Sequence, residues 1–168
     1  MIDIAHLLEQ AGRLGAASDG ADQARSTDLR RAVSAAYYAV FHAGLIAAAD
    51  LVSGEAGRGT TRYCLAYRSI DHGKMKSLCQ EIIKHKPSAK YQRYVPDSGW
   101  DQSIIGYCEA FVTLNEQRML ADYDPAYQVT PVEVVAYVRT ARTAIDDLDA
   151  AGQSVKRAFL ALLLFPPR

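Results

Sequence analysis

The first candidate for chemistry is a block of polar residues inside an otherwise apolar stretch. It contains Arg31, Tyr37, Tyr38 and His42. Histidine titrates near neutral pH and suits a general base, while tyrosine hydroxyls both donate and accept hydrogen bonds. Tyr38 and His42 are one helical turn apart and share a face. The same residue types also serve as buried aromatic packing, so the block alone leaves its role open.

A second block follows far downstream and contains Arg118, Asp122 and Tyr123. An arginine and an aspartate at this spacing can form an ion pair along one helix face. The planar donors of an arginine also suit a phosphate. Because both blocks place polar groups in apolar helices, we expect them to meet in the fold and supply hydrogen-bond partners to each other.

Other kinds of site lack the residues they need. The four histidines, His6, His42, His72 and His85, never pair at one-turn spacing, and neither His-Glu-x-x-His nor Cys-x-x-Cys occurs. Metal sites usually require such spacings. The Gly-rich stretch 54–59 lacks the lysine and serine of a phosphate-binding loop. The sequence therefore predicts no metal site and no cofactor.

The elements that carry these blocks are predicted to be helices throughout. Apolar spacing indicates a first helix from Ile2 to Ala17 and a second from Ser26 or Thr27 to about Val52. Two shorter helices are expected next, one capped by Thr60 or Thr61 and reaching about Ile70, and one from Lys74 to His85 that Pro87 stops. Residues 88–99 are predicted to be irregular. A late helix is expected from about Trp100 to Tyr123, and a proline-containing capping box at Thr130 opens the next. No alternating β-branched run favours a strand. We predict a single all-α domain over residues 1–168.

Composition favours a reduced cytoplasmic protein. The three cysteines form no close pair, and the N-terminus lacks the basic region and apolar run of a secretory signal. The stretch 33–49 is the one membrane candidate, but it contains tyrosines and a histidine and charges flank it. A buried core helix is the favoured interpretation, with no membrane partner.

Charge is unevenly distributed, although the total is zero. Residues 58–93 carry a net charge of +7 and residues 97–149 a net charge of −7. A basic stretch can bind nucleic acid. It can equally attract the acidic stretch within or between subunits. The nucleic-acid-binding candidates are Arg68, Lys74, Lys76, Lys84, Lys86, Lys90, Tyr91 and Arg93.

The two blocks together resemble the HEPN family, the small helical domains of prokaryotic toxin–antitoxin and defence proteins. The resemblance covers about residues 28–148, and His72-Gly73 echoes a third family block. It implies an antiparallel bundle of five to six helices that forms a homodimer, with a nucleotidyltransferase as partner protein. The residues that carry it are Arg31-Ala32, Ala36-Tyr37-Tyr38-Ala39, Phe41-His42, Arg118, Ala121, Asp122 and Tyr123.

Nuclease members of that family carry an Arg-x4-6-His motif on the late helix. Here Arg118 is present, but Asp122 and Tyr123 stand where the histidine is expected. An ionised aspartate repels phosphate. The resemblance thus favours a non-catalytic module that binds RNA or a partner protein. Two alternatives stay open: a metal-independent ribonuclease with a displaced set Arg68, His72 and Arg118, and a purely structural dimerisation module.

Overall fold

The structure, a computed structural model, describes residues 2–16 and 25–167. These residues form eight α-helices and one 3-10 turn, with no strand among them, which confirms the all-α class. The helices exceed the predicted five to six because the region before the late helix contains three short ones. They are α1 (Ile4–Gly15), α2 (Ser26–Ser53), α3 (Thr61–Arg68), α4 (His72–Ile82), α5 (Ala89–Gln92), α6 (Gln102–Tyr123), α7 (Pro131–Ala150) and α8 (Gln153–Leu164), with the 3-10 turn at Glu55–Gly57.

Helix α2 lies at the centre of the fold and packs against α1, α3, α6, α7 and α8. Runs of consecutive buried residues such as 35–37 and 39–41 show that it is covered on every side. It is the one helix in the described ranges that is long and apolar enough to cross a membrane. Since 72% of its most apolar window is buried by the other helices, it is accounted for as a core helix.

Helix starts follow the capping residues closely. The capping box at Thr130 and Glu133 is confirmed, and Thr60, Asp71 and Asp101 cap α3, α4 and α6 through their side chains. Helix α4 begins earlier than the predicted Lys74, because Asp71 Oδ1 accepts a hydrogen bond from the Lys74 N–H at 2.8 Å. This cap places His72 in the first turn of α4.

Other predicted boundaries shift by small amounts. Helix α2 begins at Ser26, as predicted, but has no side-chain cap. The predicted end of the first helix at Ala17 lies outside the described residues. The late helix starts at Gln102 and ends at Tyr123 as predicted. A single-turn helix, α5, occurs in the stretch after Pro87 that the sequence marks as irregular.

Arg30 holds the end of α6 in place. Its guanidinium donates to the carbonyls of Ala121 at 2.7 Å, Asp124 at 2.8 Å and Tyr127 at 3.2 Å. The last carbonyls of a helix lack partners within the helix, and a cation there also interacts favourably with the helix dipole. Arg30 therefore fixes the turn that carries Asp122 and Tyr123.

Gly44 allows α2 and α6 to approach each other closely. A Cβ on Gly44 would overlap the hydroxyl of Tyr107 and lie 2.8 Å from the terminal carbon of Met75. The Tyr107 hydroxyl is buried and donates to the Val40 carbonyl at 3.1 Å, so it cannot move away without losing that bond. This crossing is why a glycine occupies the middle of the core helix.

We predict that Gly44→Ala lowers the free energy of unfolding by about 1–3 kcal/mol, the usual cost of overpacking a core. Gly12→Ala is the matched control, because no atom lies within 4 Å of a Cβ added there. That control should gain about 0.5–1 kcal/mol from helix propensity. Urea denaturation measures both, and a Gly44→Ala variant as stable as the parent contradicts the close approach.

Candidate functional site

The site is built around Arg118 on α6. Its Nη2 donates to the Tyr38 hydroxyl at 2.9 Å, and its Nε lies 2.6 Å from Asp122 Oδ2. The Nε–H does not point along a hydrogen-bond direction, so this second contact is an ion pair. The guanidinium carbon lies 5.5–5.8 Å from the ring centres of Tyr37, Tyr38 and Tyr123. With only 12% of its side chain exposed, this arginine is enclosed by aromatic rings and one carboxylate.

Asp122 makes a second side-chain contact between α6 and α2. Its Oδ1 accepts a hydrogen bond from Ser34 Oγ on α2 at 2.6 Å, while its Oδ2 faces Arg118. The expectation that the blocks meet is therefore confirmed for Tyr38 with Arg118. The pairing leaves the positive charge of Arg118 largely compensated within the protein.

Arg31 does not join this cluster, although the motif spacing suggested that it would. It is exposed and makes no hydrogen bond or ion pair with any residue that the structure describes. Its neighbour Arg30 contacts α6 instead, because one residue rotates the side chain by about 100° around a helix. Arg31 lies with Tyr38 and Asp122 on the wall of an open groove of about 490 Å³.

His72, in the first turn of α4, belongs to the same cluster. Its Nδ1 lies 2.7 Å from the hydroxyl of Tyr37, and its ring centre is 4.1 Å from that of Phe41. The Tyr37 oxygen also accepts from Asn115 Nδ2 at 3.1 Å. The buried hydroxyl proton of Tyr37 is satisfied when His72 Nδ1 accepts it, and this requirement assigns the histidine's own proton to Nε2.

His42 occupies the other side of Tyr38. Its ring stacks between Tyr38, with centres 6.0 Å apart, and Tyr67 of α3, with centres 5.9 Å apart and planes 4° from parallel. Its Nδ1 lies 2.6 Å from the Tyr67 hydroxyl. The two histidines are thus held by two tyrosines, each through Nδ1.

Burial governs how these groups titrate. It lowers the pKa of His42, with a smaller contribution from His72. It also lowers the pKa of His72, and the charge of Arg118 adds to that effect. Burial raises the pKa of Tyr37 to about 12, so its hydroxyl keeps its proton at neutral pH. At pH 7 both imidazoles are neutral.

The arrangement supplies donors to an incoming ligand. A neutral His72 whose Nδ1 accepts from Tyr37 presents only an N–H at Nε2. Arg118 Nη1 also donates to Met119 Sδ at 3.3 Å, and the guanidinium has further N–H groups beyond those directed at Tyr38, Met119 and Asp122. Proton abstraction by His72 would require the opposite tautomer, in which the buried Tyr37 hydroxyl proton loses its acceptor. The arrangement therefore favours hydrogen-bond donation by His72 over general-base catalysis.

Three members of the cluster were not predicted from the sequence: Ser34, Tyr67 and Asn115. Asn115 had a usable signal, since it is a lone amide on an apolar face of α6 and is the buried polar residue of the core. Tyr67 and Ser34 had none, because their partners are 25 and 88 residues away in the chain.

The basic candidates are distributed over more than one surface. Lys84 and Lys90 line a depression of about 600 Å³ together with Glu81, whose pKa the Lys84 ammonium lowers to about 2. Lys90 lies over the Tyr91 ring at 5.1 Å. Tyr91 itself is buried and cannot stack on a base, contrary to the expectation from the sequence. Arg68 lines a different cavity.

Comparison of the chain with protein-family models, with curated proteins and with solved structures finds no match. Across the described ranges, no three His, Cys, Asp or Glu side chains are grouped so as to hold a metal ion. What can be said of the site therefore comes from its own geometry.

We predict that Asp122→Ala lowers the free energy of unfolding by about 1–3 kcal/mol, because the mostly buried Arg118 loses its counter-charge. This expected loss of stability is smaller than the loss for a fully buried ion pair, since 29% of the Asp122 side chain is exposed. The control is Asp149→Ala, which removes a 3.5 Å pair from a largely exposed carboxylate. That change should stay within about 0.5 kcal/mol. Equal effects of the two substitutions would show that Asp122 is not needed to bury Arg118.

The lowered pKa values of His42 and His72 predict how the stability of the fold depends on pH. Their pKa values are lower in the folded chain than in the unfolded chain, so the unfolded chain binds more protons between the two values. Stability should be level above about pH 6.5 and fall as pH drops below it. Urea titrations from pH 8 to pH 5 measure the effect.

The matched variants are His72→Gln and His85→Gln. The first should make the fall in stability below pH 6.5 shallower, leaving the contribution of His42. The second should leave the profile unchanged, because His85 is exposed and makes no hydrogen bond to a described residue. A profile that rises toward acid pH would contradict the assignment.

Proposed function

We propose that the chain is a HEPN-type helical domain of a prokaryotic toxin–antitoxin or defence system, acting in the cytoplasm by binding RNA without cleaving it. The observation that carries this proposal is the hydrogen bond between the Tyr37 hydroxyl and His72 Nδ1. It leaves His72 with a donor at Nε2, beside the remaining donors of Arg118. Such a pair suits a phosphate oxygen as an acceptor.

Two features argue against catalysis in this proposal. Cleavage of RNA without a metal needs a base for the ribose 2′-hydroxyl, and His72 is held in the tautomer that cannot take that proton at Nε2. A nuclease also needs a cation to stabilise the transition-state phosphate. Arg118 already faces Asp122 at 2.6 Å, which offsets its charge.

The basic region supplies a second, electrostatic contribution. Residues 58–93 carry a net charge of +7, and Lys90 shares one open depression with Lys84, which pairs there with Glu81. Exposed lysines attract the phosphate backbone over several ångströms without reading sequence. The aromatic Tyr94 is 40% exposed, with Arg93 over its ring at 4.8 Å, and offers a stacking surface nearby.

The proposal includes a homodimer, and two observations support a second copy. Met119, Leu120 and Tyr123 at the end of α6 are exposed apolar side chains beside the cluster. The +7 and −7 segments could also attract each other between subunits. The nucleotidyltransferase partner rests on the sequence resemblance alone.

The second candidate function is a metal-independent ribonuclease using Arg68, His72 and Arg118. It is favoured by one observation, the convergence of His72 and Arg118 on Tyr37. Arg68 weakens it, because its guanidinium makes no hydrogen bond or ion pair with either residue.

We predict that the protein binds single-stranded RNA with an affinity that falls with log salt by about 0.7 per phosphate neutralised. Replacing Lys84, Lys86 and Lys90 by alanine should make that slope shallower, and His72→Ala should weaken binding at every salt concentration. Substituting Arg139, Arg142 and Arg157 by alanine is the charge-matched control on α7 and α8, where all three are exposed. Fluorescence anisotropy against salt measures all four proteins. Failure of the parent to bind RNA would leave the structural dimerisation module.

Cleavage is tested in the same samples by incubation with labelled RNA in the presence of a chelator. No product is expected. Robust cutting by the parent that both Arg68→Ala and His72→Ala abolish would establish the displaced catalytic set instead.

A further inference from the structure

A second cavity lies beside α3, and Arg118 is not among the residues that line it. It has a volume of about 490 Å³ and is lined by Ile2, Gly59, Tyr63, Cys64, Tyr67 and Arg68. Cavities of about 300–1,000 Å³ with mostly apolar walls and a few polar groups are typical of small-molecule sites. The described cavity has this size and composition.

Its wall is aromatic. Tyr63 and Tyr67 are one turn apart on α3, with ring centres 6.1 Å apart and planes 23° from parallel. Tyr63 is almost fully buried and supports Tyr67, which is half-buried at the cavity surface. His42 of α2 fixes the position of Tyr67, because the Tyr67 hydroxyl lies 2.6 Å from His42 Nδ1 and the two rings stack. A rigid ring in this position favours a planar aromatic partner.

Arg68 supplies the positive charge at the cavity. It is exposed and makes no hydrogen bond or ion pair with any described residue. Among the residues that the structure describes, no acidic side chain lines the cavity. Arg58 nearby differs, because Asp50 neutralises it through two hydrogen bonds. An unpaired guanidinium at the edge of an apolar cavity suits a carboxylate or a phosphate, which its planar donors can hold at two oxygens.

We propose that this cavity binds a small planar aromatic anion, with the ring against Tyr67 and the acidic group on Arg68. The proposal does not depend on RNA binding, since the cavity shares none of its lining residues with the groove beside Asp122. In this proposal Tyr67 also links the cavity to the Arg118 cluster. A ligand packed against Tyr67 contacts the ring whose hydroxyl bonds to His42. His42 stacks on Tyr38, and Tyr38 accepts a hydrogen bond from Arg118.

The test is isothermal titration of the full chain with four probes. They are 2-naphthoate, 2-naphthyl phosphate, cyclohexanecarboxylate and 2-naphthylmethylammonium. We expect one or both naphthyl anions to bind, and which one binds more tightly identifies the acidic group. The last two probes lack the aromatic ring and the negative charge respectively, and should each bind at least about tenfold more weakly, a difference of about 1.4 kcal/mol.

Matched arginine variants assign the binding to this cavity. Arg68→Gln should weaken the naphthyl anion by about tenfold, whereas Arg62→Gln, an exposed arginine on α3 that does not line the cavity, should have no effect. Both positions are exposed, so both variants should fold. Equal affinities of the two variants, equal binding of the cyclohexane acid, or no binding of either naphthyl anion to the parent would each overturn the proposal. RNA binding is measured separately on the same Arg68→Gln protein.

Discussion

Burial of the Arg118 guanidinium is the constraint on which the polar centre of this protein depends. A charge with only 12% of its side chain exposed must be compensated, because an unpaired charge in a largely buried position destabilises the fold. Asp122 provides the counter-charge, Tyr38 accepts a hydrogen bond, and three aromatic rings surround the cation. These contacts set the position of α6 against α2, because Tyr38 and Ser34 belong to one helix and Arg118 and Asp122 to the other.

The other polar groups around the Arg118–Asp122 pair hold it in place or bond to the neighbouring histidines. Arg30 binds three carbonyls at the end of α6 and keeps Asp122 in reach of both Ser34 and Arg118. Two turns earlier along α6, Asn115 donates to the Tyr37 hydroxyl, which faces His72. The same buried surroundings that lower the pKa of both histidines keep them neutral at pH 7. A neutral His72 and a charge-compensated Arg118 present hydrogen-bond donors, whereas the imidazole of His72 has no free nitrogen to accept a proton.

The sequence by itself determined the helical class, the burial of α2 and several helix starts. Local signals suffice for these features: the spacing of apolar residues, the caps at Thr60 and Thr130, and the proline at position 131. It also indicated that the blocks around Tyr38 and Arg118 would meet, because polar groups in apolar helices need partners. The number of helices was harder to predict, since the short α5 and the early start of α4 depend on weak or single-residue signals.

Only the tertiary structure decided which side chains complete the site. Arg30 and Arg31 are adjacent and chemically identical, and the crossing of α1, α2 and α6 determines that Arg30 binds the end of α6 while Arg31 stays exposed. Tyr67 contacts His42 directly, from 25 residues away in the chain. Asn115 acts on His72 through Tyr37, to which it donates from 78 residues away. The tautomer of His72 follows from that last contact. Sequence spacing reports neighbours along one helix, whereas proton positions depend on groups brought together from several helices.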